Sequence, residues 1–457
     1  MLLHSHRFLI KVFYPLSILS LIPTILTAKE FSLNDLISIA LKNNKEIKSL
    51  KEEREYYRGK YIEAQSAYYF PYINADIMGG GPIANQKKEV NRVTDASNFG
   101  YMGIDSGFGY LIKSNVDIVY PIYTFGKLGG LKDAAEAGVM SADENIKAKE
   151  IDIAIQIAQA YYGIILFNDI LGVLNDGENR LKDARKKLKE LLEREEGNVT
   201  EKDLYKLDYY SSELYYRIAE TRKGLEVARS SLKTLCNIDE EIETKDKSLS
   251  DSDLNEIDLA EYINRSKENR YEIKALRNLK KAMEDIARAQ KMAYLPDIFI
   301  GGGLRFSHSN FEFDKTNPWI RDDFNYFGFA VGIGAKINLE IGIKYGKEIQ
   351  TYAQFMKYQY LEEALIDAIE LQTKKLYEEY NEAKNNFETY LKGEKAAKKW
   401  LTTETMNYNI GLGDTKGLID ALVAYAQSGI MKNKAQYDMK IKKIILDYYS
   451  GNMKLPR

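Results

Sequence analysis

The chain of 457 residues has a single cysteine, Cys236, only three histidines and eight prolines. One cysteine excludes a disulfide within the chain. His4 and His6 stand at the start, and His308 is alone in a segment that reads as a loop, so no His/Cys cluster offers a metal site. No nucleophile–base pair is visible, and the expectation is a protein without catalysis or cofactor. Charge of one sign is lacking too: 65 basic residues against 67 acidic ones leave a net charge of −2. That excludes the basic footprint of a nucleic-acid partner. Gly301-Gly302-Gly303 follows a strand pattern but precedes a polar loop rather than a helix, so it is no phosphate cradle. Beyond the first residues no stretch reads as the ~18 apolar residues of a spanning helix. Those first residues have the pattern of an export signal over 1–28: basic at His4, His6, Arg7 and Lys11, apolar from Val12 to Leu26, and small at Ala28.

Proline is absent from Ile122 to Leu295 and again from Trp319 to Leu455. Proline breaks helix interiors, so both gaps can hold long uninterrupted helices. The mid-chain prolines Pro71, Pro82, Pro121, Pro296 and Pro318 all fall in or beside segments that read as strands and their loops.

What the chain does have is a repeat. Ala64-Gln65 followed by Pro71 returns 225 residues later as Ala289-Gln290 followed by Pro296. Each copy runs from an amphipathic helix through proline into a short strand rich in small residues. The first half, 29–238, reads as helix 32–68, strands at about 71–82 and 108–122, a long helix 127–193, a turn at Gly197, and a helix 201–236. Ser32 is the expected N-cap, with Asp35 three positions on. A polar linker, 239–256, joins the halves. The second half, 257–451, repeats the order: helix 257–293, strands 297–306 and 325–340, helix 344–409, a turn at Gly411-Leu412-Gly413, helix 417–450. A helix of some 65 residues is roughly 100 Å long, too long for a compact domain, and must pack against parallel neighbours. Ile153, Ile157, Ala160, Ile164, Phe167, Leu171 and Leu174 supply a coiled-coil seam.

The strands alternate strictly. Phe327, Phe329, Val331, Ile333, Ala335, Ile337 and Leu339 share one face; Tyr326, Gly328, Ala330, Gly332, Gly334, Lys336 and Asn338 share the other. Phe108, Tyr110, Ile112, Val116, Ile118 and Tyr120 alternate in the same way with Gly109, Lys113, Asn115 and Asp117. A half-buried soluble sheet gives this pattern, and so does a membrane barrel with lipid outside and water inside. The export signal and the long helices favour the barrel. Four strands cannot close around a lumen, and open edges are not tolerated in lipid, so several chains must share one barrel. The 34 tyrosines suit surfaces that are half apolar and half wet.

At this point the chain resembles the TolC-like outer-membrane efflux factors over essentially its whole length after the signal. The Ala-Gln-x5-Pro junction in each half carries the resemblance. So do Tyr120-Pro121-Ile122-Tyr123-Thr124-Phe125-Gly126-Lys127 at a strand exit and Tyr408-Asn409-Ile410-Gly411 followed by Asp420-Ala421. Gly197 with Asp203 resembles the first-half version of that last signature. The resemblance implies a mixed α+β membrane protein built as a homotrimer, with four strands per chain in a shared twelve-stranded β-barrel above an α-helical coiled-coil tunnel. It implies an outer-membrane exit duct of an efflux or type I secretion system, set in outer-membrane lipid and reaching across the periplasm. Its partners would be a periplasmic adaptor and, through it, an inner-membrane pump. It implies a constriction at Tyr408, Asp420 and Asp203, adaptor-docking turns at Gly197, Gly411 and Gly413, and helix-to-barrel junctions at Pro71, Pro121 and Pro296. Two positions depart: Gly413 stands where the family has an arginine and Gly417 where it has a second aspartate, which leaves Asp414 as the nearby carboxylate. An alternative that the repeat and heptads also allow is an exported coiled-coil spacer or adhesin without a lumen.

Overall fold

A computed structural model of the chain describes residues 29–86, 104–194, 200–249, 257–310, 324–410 and 412–456. The export signal and the tip residues Gly197 and Gly411 lie outside these. The order is β1 (Lys29–Phe31), α1 (Leu33–Asn43), α2 (Lys45–Tyr69), β2 (Tyr72–Gln86), β3 (Ile104–Tyr123), α3 (Lys127–Glu193) and α4 (Glu201–Cys236). It continues with β4 (Ile242–Thr244), α5 (Leu259–Asn269), α6 (Tyr271–Lys291), a 3-10 turn, β5 (Asp297–Ser309), β6 (Tyr326–Lys336), α7 (Ile341–Asn409) and α8 (Thr415–Ser450).

The two long helices, 67 and 69 residues, form rods of about 100 Å. Toward the sheet the helices pack in the order α2-α3-α6-α7; toward the far end the order is α4-α3-α8-α7. This leaves α2 and α4 at one edge of the chain and α7 at the other. α3 therefore has neighbours on two sides, and the expected seam widens. Ile153, Ile157, Ile164 and Leu174 are buried as read, and Ala154, Ala158, Tyr161 and Ile165 form a second buried stripe beside them. Each such isoleucine contributes roughly 1.5–3 kcal/mol by leaving water. α3 does hold an 18-residue window apolar enough to cross a membrane, contrary to the reading that no such stretch follows the signal; with 56% of it buried inside the protein, the window is core. Cys236 closes this core, and burial pushes its thiol up to about 11, so it is inert.

Two helices expected to be continuous are broken. Helix 32–68 ends at Asn43 and restarts at Lys45. Asn44 is the cause: its side chain accepts from the amides of Glu46 and Ile47 (2.9 and 3.3 Å) and donates to the Leu235 carbonyl (3.0 Å). It caps the second helix from outside helical geometry. Helix 257–293 breaks likewise at Arg270, a buried residue held by Glu272 and Gln372. The same three residue types follow both breaks, Glu46-Ile47-Lys48 and Glu272-Ile273-Lys274. The first helix does begin as read, with a reciprocal capping box between Ser32 and Asp35. The linker 239–256 is not wholly irregular, because β4 pairs in parallel with β1, Glu30 opposite Glu243.

The second sheet is antiparallel, in the order β2-β3-β5-β6. Its strands run further than expected into segments read as loops: β2 to Gln86, β3 from Ile104, β5 to Ser309. His308 is consequently a strand residue, its Nε2 3.3 Å from the Tyr110 hydroxyl. β6 is shorter than expected, ending at Lys336 before α7 starts at Ile341.

Candidate conduit and gate

The pairing register of the four strands assembles the alternation of single strands into two continuous faces. One face carries the rows Ile73–Ile118–Gly302–Val331 and Ala75–Val116–Leu304–Phe329, with Ile77–Ser114–Phe306–Phe327 above them. Its apolar groups face outward: Ile77, Phe329 and Ile333 are 75–79% exposed. The other face carries Asn74–Asp117–Gly303–Ala330 and Asp76–Asn115–Arg305, followed by Met78–Lys113–Ser307–Tyr326. There the Arg305 guanidinium lies 3.5 Å from the Asp117 carboxylate, and Asn74 donates to Asp76 at 2.8 Å. The Arg305–Asp117 contact runs diagonally between β5 and β3, and such cross-strand pairs are the unit of sheet stability.

The glycines of this polar face have a spatial use. Phe299 lies across Gly301 and Gly334; a Cβ on Gly334 would come within 2.7 Å of its ring. A Cβ on Gly303 would stand 3.1 Å from the Asp117 carboxylate. The glycine run dismissed above as a phosphate cradle thus makes room for an aromatic ring and a carboxylate. Phe299 was not singled out from the sequence; a phenylalanine on the small-residue face of its strand was the available signal.

At the sheet's base the chain turns into helices. Pro71 and Pro296 precede β2 and β5, where their missing amides interrupt no ladder. Pro121 lies inside β3, opposite Phe299, and the register slips between Pro121 and Tyr123. Lys127, at the start of α3, holds Asp297, at the start of β5, at 2.6 Å. This ion pair ties the two halves together where helix meets strand.

The far end gathers the three residues read as a constriction. Asp203 is a capping residue: its carboxylate accepts from the Thr200 amide (3.2 Å) and hydroxyl (2.9 Å), and Lys206 stands 3.3 Å away. Burial pushes its pKa up, but the bonds from Thr200 and Lys206 outweigh burial and hold it below the usual carboxylate value. Tyr408 is buried among Leu181, Leu207, Leu401, Ile419 and Leu422, in the core where α3, α4, α7 and α8 meet. Its hydroxyl closes no hydrogen bond of good geometry. Burial raises its pKa; Thr415 lies near enough to oppose the rise, and the Asp203 charge adds to it. The Lys187 ammonium sits 5.2 Å over its ring and donates to Asn409 at 2.7 Å. Asp420 is half-buried in a shallow cleft with Lys202, Tyr205, Lys206 and Lys416. Lys206 therefore connects the surroundings of both carboxylates.

The turn itself depends on Gly413. Its amide and that of Leu412 both donate to the Asn407 carbonyl at 3.0 Å, and a Cβ on Gly413 would lie 2.8 Å from the Tyr408 backbone nitrogen. Any side chain at this position, arginine included, would require a different turn. Asp414 is the N-cap of α8, accepting from the Gly417 amide at 2.7 Å. A Cβ on Gly417 would meet Asp414 and Glu404 oxygens at 3.0 Å.

No family model matches the sequence, and no curated protein does. Solved structures do. The outer-membrane channel OprN has TM-score 0.73 at 15% identity, covering 92% of this chain and 90% of that one. The outer membrane protein VceC from Vibrio cholerae has TM-score 0.72 at 13% identity, with 92% and 96% covered. The CmeC outer membrane channel of Campylobacter jejuni has TM-score 0.69 at 15% identity, with 93% and 86% covered. The fold that the junction and tip motifs resembled, that of the TolC-like outer-membrane efflux channels, is therefore the fold this chain has.

Proposed function

We propose that this chain is the outer-membrane exit duct of a tripartite efflux or type I secretion system. The observation that carries the reading is the four-stranded sheet with one apolar face, one polar face and two outer edges, β2 and β6, that pair with no further strand among the described residues. Unpaired edges and an exposed apolar face together are stable in lipid only if further copies close the sheet into a barrel. Three copies would close it, with the apolar face against outer-membrane lipid and Asp76, Asn115, Lys113 and Arg305 toward water. The helical rods would continue the lumen across the periplasm. Their far end would meet a periplasmic adaptor at the turns around Gly197, Gly411 and Gly413, and through it an inner-membrane pump. Cargo would pass without chemical change.

Tyr408, Asp420 and Asp203 are the proposed constriction. Three copies would bring three Asp420 carboxylates into one ring, which favours cations and narrows the passage. Tyr408 would act from behind, because its ring belongs to the tip core and sets the α7–α8 turn. The direct test is conductance: purified protein in planar bilayers should give discrete channel events and run as a trimer in detergent. A monomer without conductance ends the reading.

A further inference from the structure

The joint between the two repeats inside the chain shows how two copies of the chain meet. In the hairpins Ile73 pairs with Ile118 and Ile298 with Ala335. With Ala64…Pro71 aligned on Ala289…Pro296, β2 corresponds to β5 and β3 to β6, Ile73 matching Ile298 and Ile118 matching Ala335. The internal joint is β3 against β5, where Val119 faces Gly301 and Ile118 faces Gly302. Repeating it between copies replaces β3 by β6 and β5 by the neighbouring copy's β2. Lys336 then takes the place of Val119, and Asp76 that of Gly301.

We infer that β6 of one copy pairs antiparallel with β2 of the next in this register, setting the Lys336 ammonium directly across from the next copy's Asp76 carboxylate. Both side chains are exposed in the single chain. Lys336's cross-strand neighbour within the chain, Asp297, is already held by Lys127, and among the described residues Asp76 is bonded only to Asn74. The same register places Ala335 beside the next copy's Ile77 on the apolar face. A slip of one residue would turn that face inward. A slip of two would set Lys336 against Asn74 or Met78.

The helices below the sheet point to the same joint independently. Gly130 of α3 lies close against α6: a Cβ there would stand 3.1 Å from the Asp285 carbonyl oxygen and 3.2 Å from the Ala289 Cβ. The pair Gly126 and Gly130 after β3 recurs as Gly342 and Gly346 after β6, and Ala64 corresponds to Ala289. Yet a Cβ on Gly346 would meet no neighbouring element within 4 Å among the described residues of the single chain. A glycine inside a helix is unfavourable relative to alanine, and here the described residues of the single chain supply no close approach that requires it. The next copy supplies one, with α7 crossing α2 at Gly346 and Ala64 as α3 crosses α6 at Gly130 and Ala289.

This inference rests on the trimeric duct, and the experiment separates the two. Cys236 is fully buried, so introduced cysteines report alone. Lys336→Cys with Asp76→Cys should form covalent trimers under mild oxidation several-fold faster than Lys336→Cys with Asn74→Cys or with Met78→Cys. Directly opposite Cβ atoms are about 5 Å apart and diagonal ones about 7–8 Å. Gly346→Leu should abolish the trimer while the helical circular dichroism of the protomer stays unchanged. A trimeric wild type that cross-links fastest through residue 74 or 78, or a Gly346→Leu protein that remains as firmly trimeric as wild type, overturns the inference and spares the duct. A wild type that is not trimeric overturns both.

Discussion

Asp203 and Tyr408 show how one residue type can be legible while its surroundings are not. The Gly197…Asp203 spacing singled out Asp203, but its bonds to Thr200 make it a helix cap as well as a candidate pore group. Asp203→Ala should therefore destabilise the start of α4 by about 1 kcal/mol, read as lost amide-exchange protection over its first turn. Its folded-state pKa is depressed, so its contribution is present above the unfolded carboxylate value near 3.8 and is lost as pH falls through the lower folded value. Exchange protection of that turn should hold at pH 5 and fade only below about 3.8. Tyr408→Phe removes a hydroxyl that closes no well-formed bond, so stability should change by less than about 1 kcal/mol. If single-channel conductance rises in Tyr408→Phe and Asp420→Ala, the constriction is located; unchanged conductance in both would remove these residues from it. Gly413→Ala should loosen the tip, because the atom its Cβ meets is backbone and cannot rotate away.

The strands and helices differ in how far local pattern carries. Alternation along β6 named its apolar face, since side chains in a strand point to opposite sides whatever the sheet does. Arginine at Phe329 or Val331 should block membrane assembly, at a cost of about 2–4 kcal/mol near the membrane midplane; a coiled-coil spacer without a barrel would tolerate either change. Gly334→Val should distort the sheet base, where Phe299 already fills the space. The breaks at Asn44 and Arg270 were not legible. Neither position has proline or glycine, and the helix stops because Asn44 finds the Leu235 carbonyl and Arg270 finds Glu272 and Gln372. The partners at 235 and 372 are brought there only by the fold.

At the scale of the whole molecule, the exposed edges define what a single chain lacks. Tyr205, Tyr209 and Tyr216 on α4 are 67–68% exposed, and Leu371 on α7 is 69% exposed. An edge of α4 and an edge of α7 that differ from each other suit head-to-tail closure into a ring. The assembled duct should run as a heat-resistant trimer on denaturing gels and dissociate to protomers only on boiling, without passing through a stable dimer. Much of this was legible in the sequence alone. The two rods and the two-faced strands follow from periodicity and from where proline is absent, which are properties of neighbouring residues. The tertiary structure decided the rest: which rows of residues share a sheet face across strands, that Tyr408 lies in a core, that Gly413 admits no side chain, and that a Cβ on Gly346 would meet no neighbouring element among the described residues. Those depend on groups tens to hundreds of residues apart in sequence, and no local period records how such groups meet.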